Sequence, residues 1–466
     1  MNRQNLHKYQ ERAVDFIIEH KSAALFLQMG LGKSVITLTA ISDLLDNIEI
    51  EKVLVVAPKK VAESTWAQEA QSWEHLRHLR TSVILGTPKQ RDIALHTDAD
   101  VYITSRDLVV DVLEKAANEK IVFDMLVLDE LTSFKSSKSK RFKAVRKARP
   151  FIRRVVGLTG TPTPNGLVDL WAQMYCIDMG MCLGRSKTKF VDAFFDTITH
   201  QGIVIKCTPK FGAEKDIYKK LEPVALTMKA EDYLELPPLI EKTIKVIPTV
   251  PTLNRYTEFE RENVLLYHDA IQDQPQNIVA SSAAALCNKL CQFANGAIYN
   301  EEHLPIWIHD EKIDMLMELI ESSLASGSGV LVFYQFQHDC HRIMERKELK
   351  GLRVRKYEGD ADLQAWNKGE IDVLLTHAAS TAYGLNLQKG GHVVIWYGTG
   401  WNAELYLQGN ARLHRQGQRE PVIVYRLIVG QTMDETALKA IESKISTQEA
   451  MLSALKEKAR KYIEQK

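Results

Sequence analysis

At 466 residues, 45% of them hydrophobic and 26% charged, the chain has the composition of an ordinary soluble globular protein but is too long for one core of usual size. The opening MNRQNLHKYQ lacks an apolar targeting core and no run of about 18 apolar residues follows, which argues against secretion and a membrane partner and for a cytoplasmic protein. A net charge of +1 means that any polyanion site must come from local clustering.

In HKYQ near the amino terminus, Gln10 offers an amide that donates and accepts at once, as an adenine edge demands. The loop Met29-Gly30-Leu31-Gly32-Lys33-Ser34 follows. Its glycines let backbone N–H groups approach phosphate oxygens, Lys33 reaches the β and γ phosphates and Ser34 ligates Mg²⁺. Leu27 stands where the strict G-x-x-x-x-G-K-[ST] pattern has its first glycine.

Short β-branched runs, each followed by helix-compatible sequence, come at Val53–Ala57, Val101–Thr104, Met125–Leu128 and Val155–Thr159, and again at Val330–Tyr334, Val373–Thr376, Val393–Tyr397 and Val422–Leu427. Near-continuous apolar strands alternating with helices predict parallel sheets covered on both faces, and two such series predict two doubly wound α/β lobes. The run MLVLDE ends in two carboxylates: Asp129 is suited to hold Mg²⁺ and Glu130 to orient and deprotonate an attacking water. Thr159 and Thr161 in LTGTP offer hydroxyls to those carboxylates.

From Lys135 to Arg154 the chain carries ten basic residues and no acidic one. Lys138, Lys140, Arg141 and Lys143 in this cluster, with Lys59 and Lys60 after the second predicted strand, are candidates for nucleic-acid phosphate contacts. Between Gly180 and Asn300 the pattern turns helical and irregular, and a hinge is expected near the extended passage from Leu236 to Pro251. Gln408, Arg412 and Arg415 are spaced to share one helical face, where the arginines are placed to neutralise charge on a transferred phosphoryl group. Thr432-x-x-Glu435 reads as a capping box, and Leu438, Ile441, Ile445, Leu452 and Leu455 as the stripe of one terminal helix. The six cysteines form no C-x-x-C pair, so neither a zinc ribbon nor a disulfide framework is indicated.

Gln10, MGLGKS, VLVVAPKKVAESTWAQEAQSW, LVLDE, LTGTPTPN, the GLNL and WNAE segments and HRQGQ, in that order, resemble the motif set of superfamily-two helicase-type ATPases, specifically the Swi/Snf-like double-stranded DNA translocases. The resemblance implies two RecA-like doubly wound parallel-sheet lobes in tandem, assigned to residues 1–229 and 230–466, with a helical insertion at about 250–300 in the second. It implies ATP and Mg²⁺ between the lobes, nucleotide roles for Gln10, Lys33, Ser34, Asp129, Glu130, Gly384, Arg412 and Arg415, and duplex DNA as partner. DELT in place of a DEAH-like sequence, THAASTAYGLNL in place of STRAGGLGINL, and no paired arginines near Thr227 and Met228 bring the chain nearer the compact phage and prophage members than nucleosome remodellers.

The expected protein is a monomeric, DNA-stimulated ATPase translocating on double-stranded DNA, in the bacterial host cytoplasm if it is phage-encoded. Two alternatives remain: a strand-separating helicase, or the motor component of a phage replication, repair or restriction assembly with a separate nuclease or recombination protein as partner. Trp66, Trp73 and Trp401 read as core residues rather than as the stacking platform that strand separation requires.

Overall fold

The computed structural model describes residues 1–28, 30–160, 162–163, 166–200, 203–228, 232–233, 236–271, 276–381, 385–443 and 447–464. It divides into two compact units, Met1–Glu235 and Leu236–Lys466. No described helix is long and apolar enough to cross a membrane.

In the first unit the strands are β1 (Ser22–Leu27), β2 (Val53–Ala57), β3 (Thr81–Ile84), β4 (Val101–Ser105), β5 (Met125–Asp129), β6 (Arg154–Thr159), the hairpin β7 (Phe195–His200) and β8 (Ile203–Pro209), and β9 (Ala225–Met228). All but the hairpin form one sheet in the order β3-β4-β2-β5-β6-β1-β9, every described pairing parallel. VLVVA and MLVLD are buried along their whole length, as a sheet covered on both faces requires. One face packs Leu54, Val56, Leu126, Leu128 and Val155 against Leu170 and Ile177. This order sets β5, β6 and β1 side by side, so the loops leaving their carboxyl ends are neighbours, where open α/β sheets bind ligands.

The second unit holds β10 (Leu239–Val246), the hairpin β11 (Ala297–Tyr299) and β12 (Pro305–Trp307), β13 (Gly329–Tyr334), β14 (Val354–Lys356), β15 (Val373–His377), β16 (Gly391–Trp396) and β17 (Val422–Val429). Its parallel sheet runs β10-β17-β16-β13-β15-β14. The extended passage near which a hinge is expected starts where the two units divide, at Leu236, and within it lies a strand: Leu239–Val246 pairs residue for residue with Val422–Val429. Its mostly exposed, charged sequence disguised it, and charges such as Glu241, Lys242 and Lys245 are what an edge strand tolerates.

Helices Val250–Ala270 and Gln276–Ala294 fill the insertion. They bury Tyr256, Val264, Leu286 and Leu290 against Met433, Ala437, Met451 and Leu455 near the carboxyl terminus. The expected single terminal helix is two, Met433–Ser443 and Thr447–Glu464, with Ile445 outside the described residues. The longer of these is pinned through Glu260, whose carboxylate accepts from Tyr256 (2.9 Å), Lys458 (2.6 Å) and Tyr462 (2.6 Å).

The second unit is also tied by an ion pair away from water. Lys312, 1% exposed, donates to Asp434 Oδ2 at 2.5 Å and Asn295 Oδ1 at 2.7 Å. Removing one member of such a pair strands the other charge, at a cost of about 3–5 kcal/mol. Lys312→Met should therefore lower stability by that amount in urea denaturation, and the double variant Lys312→Met/Asp434→Leu should recover most of it. A Lys312→Met variant as stable as the parent refutes the pair's role.

Candidate functional site

β1 ends at Leu27, and the helix Lys33–Asp46 starts six residues later. The turn between them needs left-handed backbone at Gly30 (φ 88°) and Gly32 (φ 80°). A Cβ at Gly32 would also lie 2.4 Å from Gln10 Nε2. The glycine therefore admits Gln10, whose buried amide donates to Leu31 O at 3.2 Å while its Oε1 accepts the His7 N–H at 2.9 Å. Lys33 Nζ donates to Leu27 O at 2.9 Å, folding its ammonium back over the loop. Ser34, the second helical residue, is half-buried. Met29 lies outside the described residues.

Asp129 closes β5 and is 9% exposed. Its Oδ2 accepts the Trp66 indole N–H at 3.1 Å and its Oδ1 the Glu130 backbone N–H at 3.1 Å. Burial pushes the Asp129 carboxyl above the ordinary carboxylate range, while the Trp66 N–H, the Lys33 charge and the Glu130 N–H pull the other way. The Lys33 charge thus sets the glycine loop and the strand-end carboxylate in one local field. Glu130 adopts the left-handed region (φ 56°, ψ 64°), uncommon for a residue with a Cβ, and leads into the 3-10 turn Leu131–Phe134. Thr159, at the end of β6, is buried, while Thr161 and Asn165 lie outside the described residues.

These donors fit a hard cation and a polyphosphate. The hydroxyl and carboxylate of Ser34 and Asp129 are the oxygen ligands Mg²⁺ takes, and a glycine turn ahead of a helix N-terminus presents backbone N–H groups to phosphate oxygens.

The basic cluster does not survive as one surface. Arg149 is buried and donates to Ile177 O, Ile152 O and Ser22 Oγ. Arg153 pairs with Asp124, Arg154 with Glu49, and Arg141 with Asp107. Lys138, Lys140, Lys143, Arg146 and Lys147 are exposed. So are Lys59, 3.9 Å from Glu63, and Lys60.

In the second unit, the helix Ala403–Asn410 is capped by Asn402, whose Oδ1 accepts from Glu404 N (3.0 Å) and Leu405 N (3.2 Å). It stops before the arginines, so the expected shared helical face of Gln408, Arg412 and Arg415 is not formed. Asn410 O accepts both Leu413 N and His414 N, and the chain unwinds through turns toward Gly417 (φ 95°). The two guanidinium groups converge nonetheless: Arg412 (3.3 Å) and Arg415 (3.1 Å) both donate to Leu385 O. Arg412 is buried and also donates to Gln408 O, whereas Arg415 is half-buried. Leu385 begins the described part of GLNL, which leaves Gly384 outside the described residues.

Trp66 is the contact that sequence reading missed, because an indole at the head of the amphipathic run WAQEAQS reads as core. Its place just beyond the end of β2, the neighbour of β5, was the available signal.

Comparison with known proteins agrees with these motifs. The model of the SNF2-related domain matches residues 9–292 and that of the helicase conserved C-terminal domain residues 311–417. "Putative protein p41" of Acyrthosiphon pisum secondary endosymbiont phage 1 is 34% identical over 97% of this chain and 98% of its own length. The Homo sapiens "SWI/SNF-related matrix-associated actin-dependent regulator of chromatin subfamily A member 1" is 26% identical over 94% of this chain, which spans 43% of that protein. A solved Sulfolobus solfataricus SWI2/SNF2 ATPase core in complex with dsDNA is 23% identical, covering 98% of this chain and 97% of that one, with a TM-score of 0.46. With both family models in sequence along it and a relative 34% identical over nearly the whole length of each chain, the chain belongs to the SNF2-related family and is a helicase-type ATP hydrolase.

Proposed function

We propose that the chain is an ATP-driven translocase on double-stranded DNA, with the nucleotide held by the first unit and with Arg412 and Arg415 serving the transfer of its phosphoryl group. The observation that carries this reading is the buried Asp129 carboxylate at the end of β5, within the field of Lys33 and next in sequence to a second carboxylate.

In this reading the N–H groups around Gly30 and Gly32 and the start of the helix Lys33–Asp46 bind phosphate oxygens. Lys33 leaves Leu27 O for the β and γ phosphates. Gln10, already fixed against the loop, keeps one amide hydrogen and one lone-pair direction beyond its two bonds for an adenine edge. Ser34 and Asp129 would hold Mg²⁺, which supplies charge neutralisation on the phosphates. Glu130 orients the attacking water and accepts its proton at the carboxylate. Arg415 meets the charge that develops on the transferred group, and Arg412, more deeply buried, holds the same backbone oxygen and fixes the turn that presents Arg415. The exposed lysines Lys59, Lys60, Lys138, Lys140 and Lys143 contact duplex phosphates, while Arg141 contributes less because Asp107 engages it.

Lys33→Ala should abolish turnover, and Glu130→Gln should bind ATP as tightly as the parent without hydrolysing it, as read by phosphate release and nucleotide-binding titrations. DNA-stimulated hydrolysis persisting in the Lys33 variant rules out this phosphate site.

Arg415→Ala should lower kcat by roughly 10²-fold or more, as loss of an arginine finger does, with little change in ATP affinity. Arg412→Ala should reduce kcat and also the melting temperature, since its bonds hold the turn. Normal hydrolysis by both variants excludes the arginines from the site.

Duplex DNA should stimulate hydrolysis more than single strands or RNA, and the protein should displace a triplex-forming strand while leaving an ordinary duplex paired. Binding should weaken with a log–log salt slope of about −0.9 per phosphate neutralised. Replacing Lys138, Lys140 and Lys143 by Ala should flatten that slope. Efficient unwinding of a tailed duplex with best stimulation by single strands reassigns the chain to strand separation.

A further inference from the structure

β2 and β5 are adjacent and parallel, Val56 opposite Leu128, so whatever follows β2 lands beside the end of β5. A π-helical turn, Val61–Thr65, comes first and leads directly into the helix Trp66–Ser72. Such turns are rare and concentrate at functional sites, where the extra residue re-aims a side chain. Here the residue delivered is Trp66, fully buried, with its indole N–H on Asp129 Oδ2. A tryptophan needed only to fill volume has no call for a carboxylate partner; Phe or Leu would pack without a polar edge to satisfy.

We infer that Trp66 is a positioning residue for the metal-binding carboxylate. Its N–H occupies one lone-pair direction of Oδ2 while the Glu130 N–H occupies one of Oδ1. Each oxygen keeps a second direction, and the rigid ring fixes which way those point. Partners of this kind orient a metal-binding group, and their loss typically weakens metal affinity by about 10- to 100-fold. The inference rests on the assignment of Asp129 as a Mg²⁺ ligand in the proposed function.

The test is equilibrium binding of a fluorescent ADP analogue by the full chain, titrated with Mg²⁺ and repeated in EDTA. In the parent, Mg²⁺ should strengthen nucleotide binding. Trp66→Phe, which keeps an aromatic ring and deletes the donor, should bind nucleotide as the parent does in EDTA but need about 10- to 100-fold more Mg²⁺ for the strengthened binding. A purely structural Trp66 predicts equal losses with and without Mg²⁺, which overturns the inference. If Trp66→Phe does not fold, site-specific replacement by the sulfur isostere 3-benzothienylalanine keeps the bicyclic shape and removes only the N–H, and the same outcomes apply. Asp129→Asn separates the two levels of the argument. If it loses the Mg²⁺ effect while the Trp66 variant keeps it, the positioning role alone fails. If both variants keep it, Asp129 is not the ligand and the site assignment fails too.

Discussion

A carboxylate buried at the end of an apolar strand is costly to keep charged unless hydrogen-bond donors and an opposite charge face it. In this chain Asp129 meets that constraint with the Trp66 N–H, the Glu130 N–H and the field of Lys33. The Glu130 N–H is the next residue's own, but the other two depend on the sheet order. Lys33 follows β1, Trp66 follows β2 and Glu130 follows β5, and the order β2-β5-β6-β1 brings those three exits to one edge of the sheet. Permuting the strands would leave the residues present but take Trp66 and Lys33 away from the carboxylate. Glu130 bears a related strain: a left-handed residue with a Cβ costs on the order of 1–2 kcal/mol, borne where the chain must turn sharply out of β5.

Legibility in the sequence followed burial on two faces. VLVVA, MLVLD and GVLVFY are continuous apolar runs, and each is a central strand. β1 reads SAALFL, whose alanines carry little β signal, and β10 reads LIEKTIKV, whose charges suit an edge and resemble a linker. β14 is three residues, too short for any period to show. The site divided in the same way. The loop, the carboxylate pair and the arginine pair stood out by residue type, whereas the Trp66 contact required knowing that β2 and β5 are neighbours, a long-range fact that local pattern does not carry.

The basic cluster shows why charge density along a chain differs from charge density on a surface. Its arginines at 149 and 154 point inward to carbonyl oxygens, those at 141, 153 and 154 pair with carboxylates, and Arg146 stays exposed. Its lysines at 138, 140 and 143 remain exposed. The planar guanidinium is weakly hydrated and satisfies several acceptors at fixed angles, whereas the ammonium is strongly hydrated and favours water.

The arginine pair follows a different logic. A spacing of three suits an α-helix, yet it equally suits a chain unwinding through turns, and the residues after Asn410 take the second course. What survives is convergence on one oxygen, Leu385 O, itself held close by Leu387 N–H bonding to Arg412 O at 3.3 Å. Trp366 adds a bond from its N–H to Leu387 O at 2.8 Å, and Asn367 one to Asn386 O at 2.7 Å. Residues 385–387 are therefore held by Arg412, Arg415, Trp366 and Asn367, and a displacement of Leu385 is felt by both arginines together.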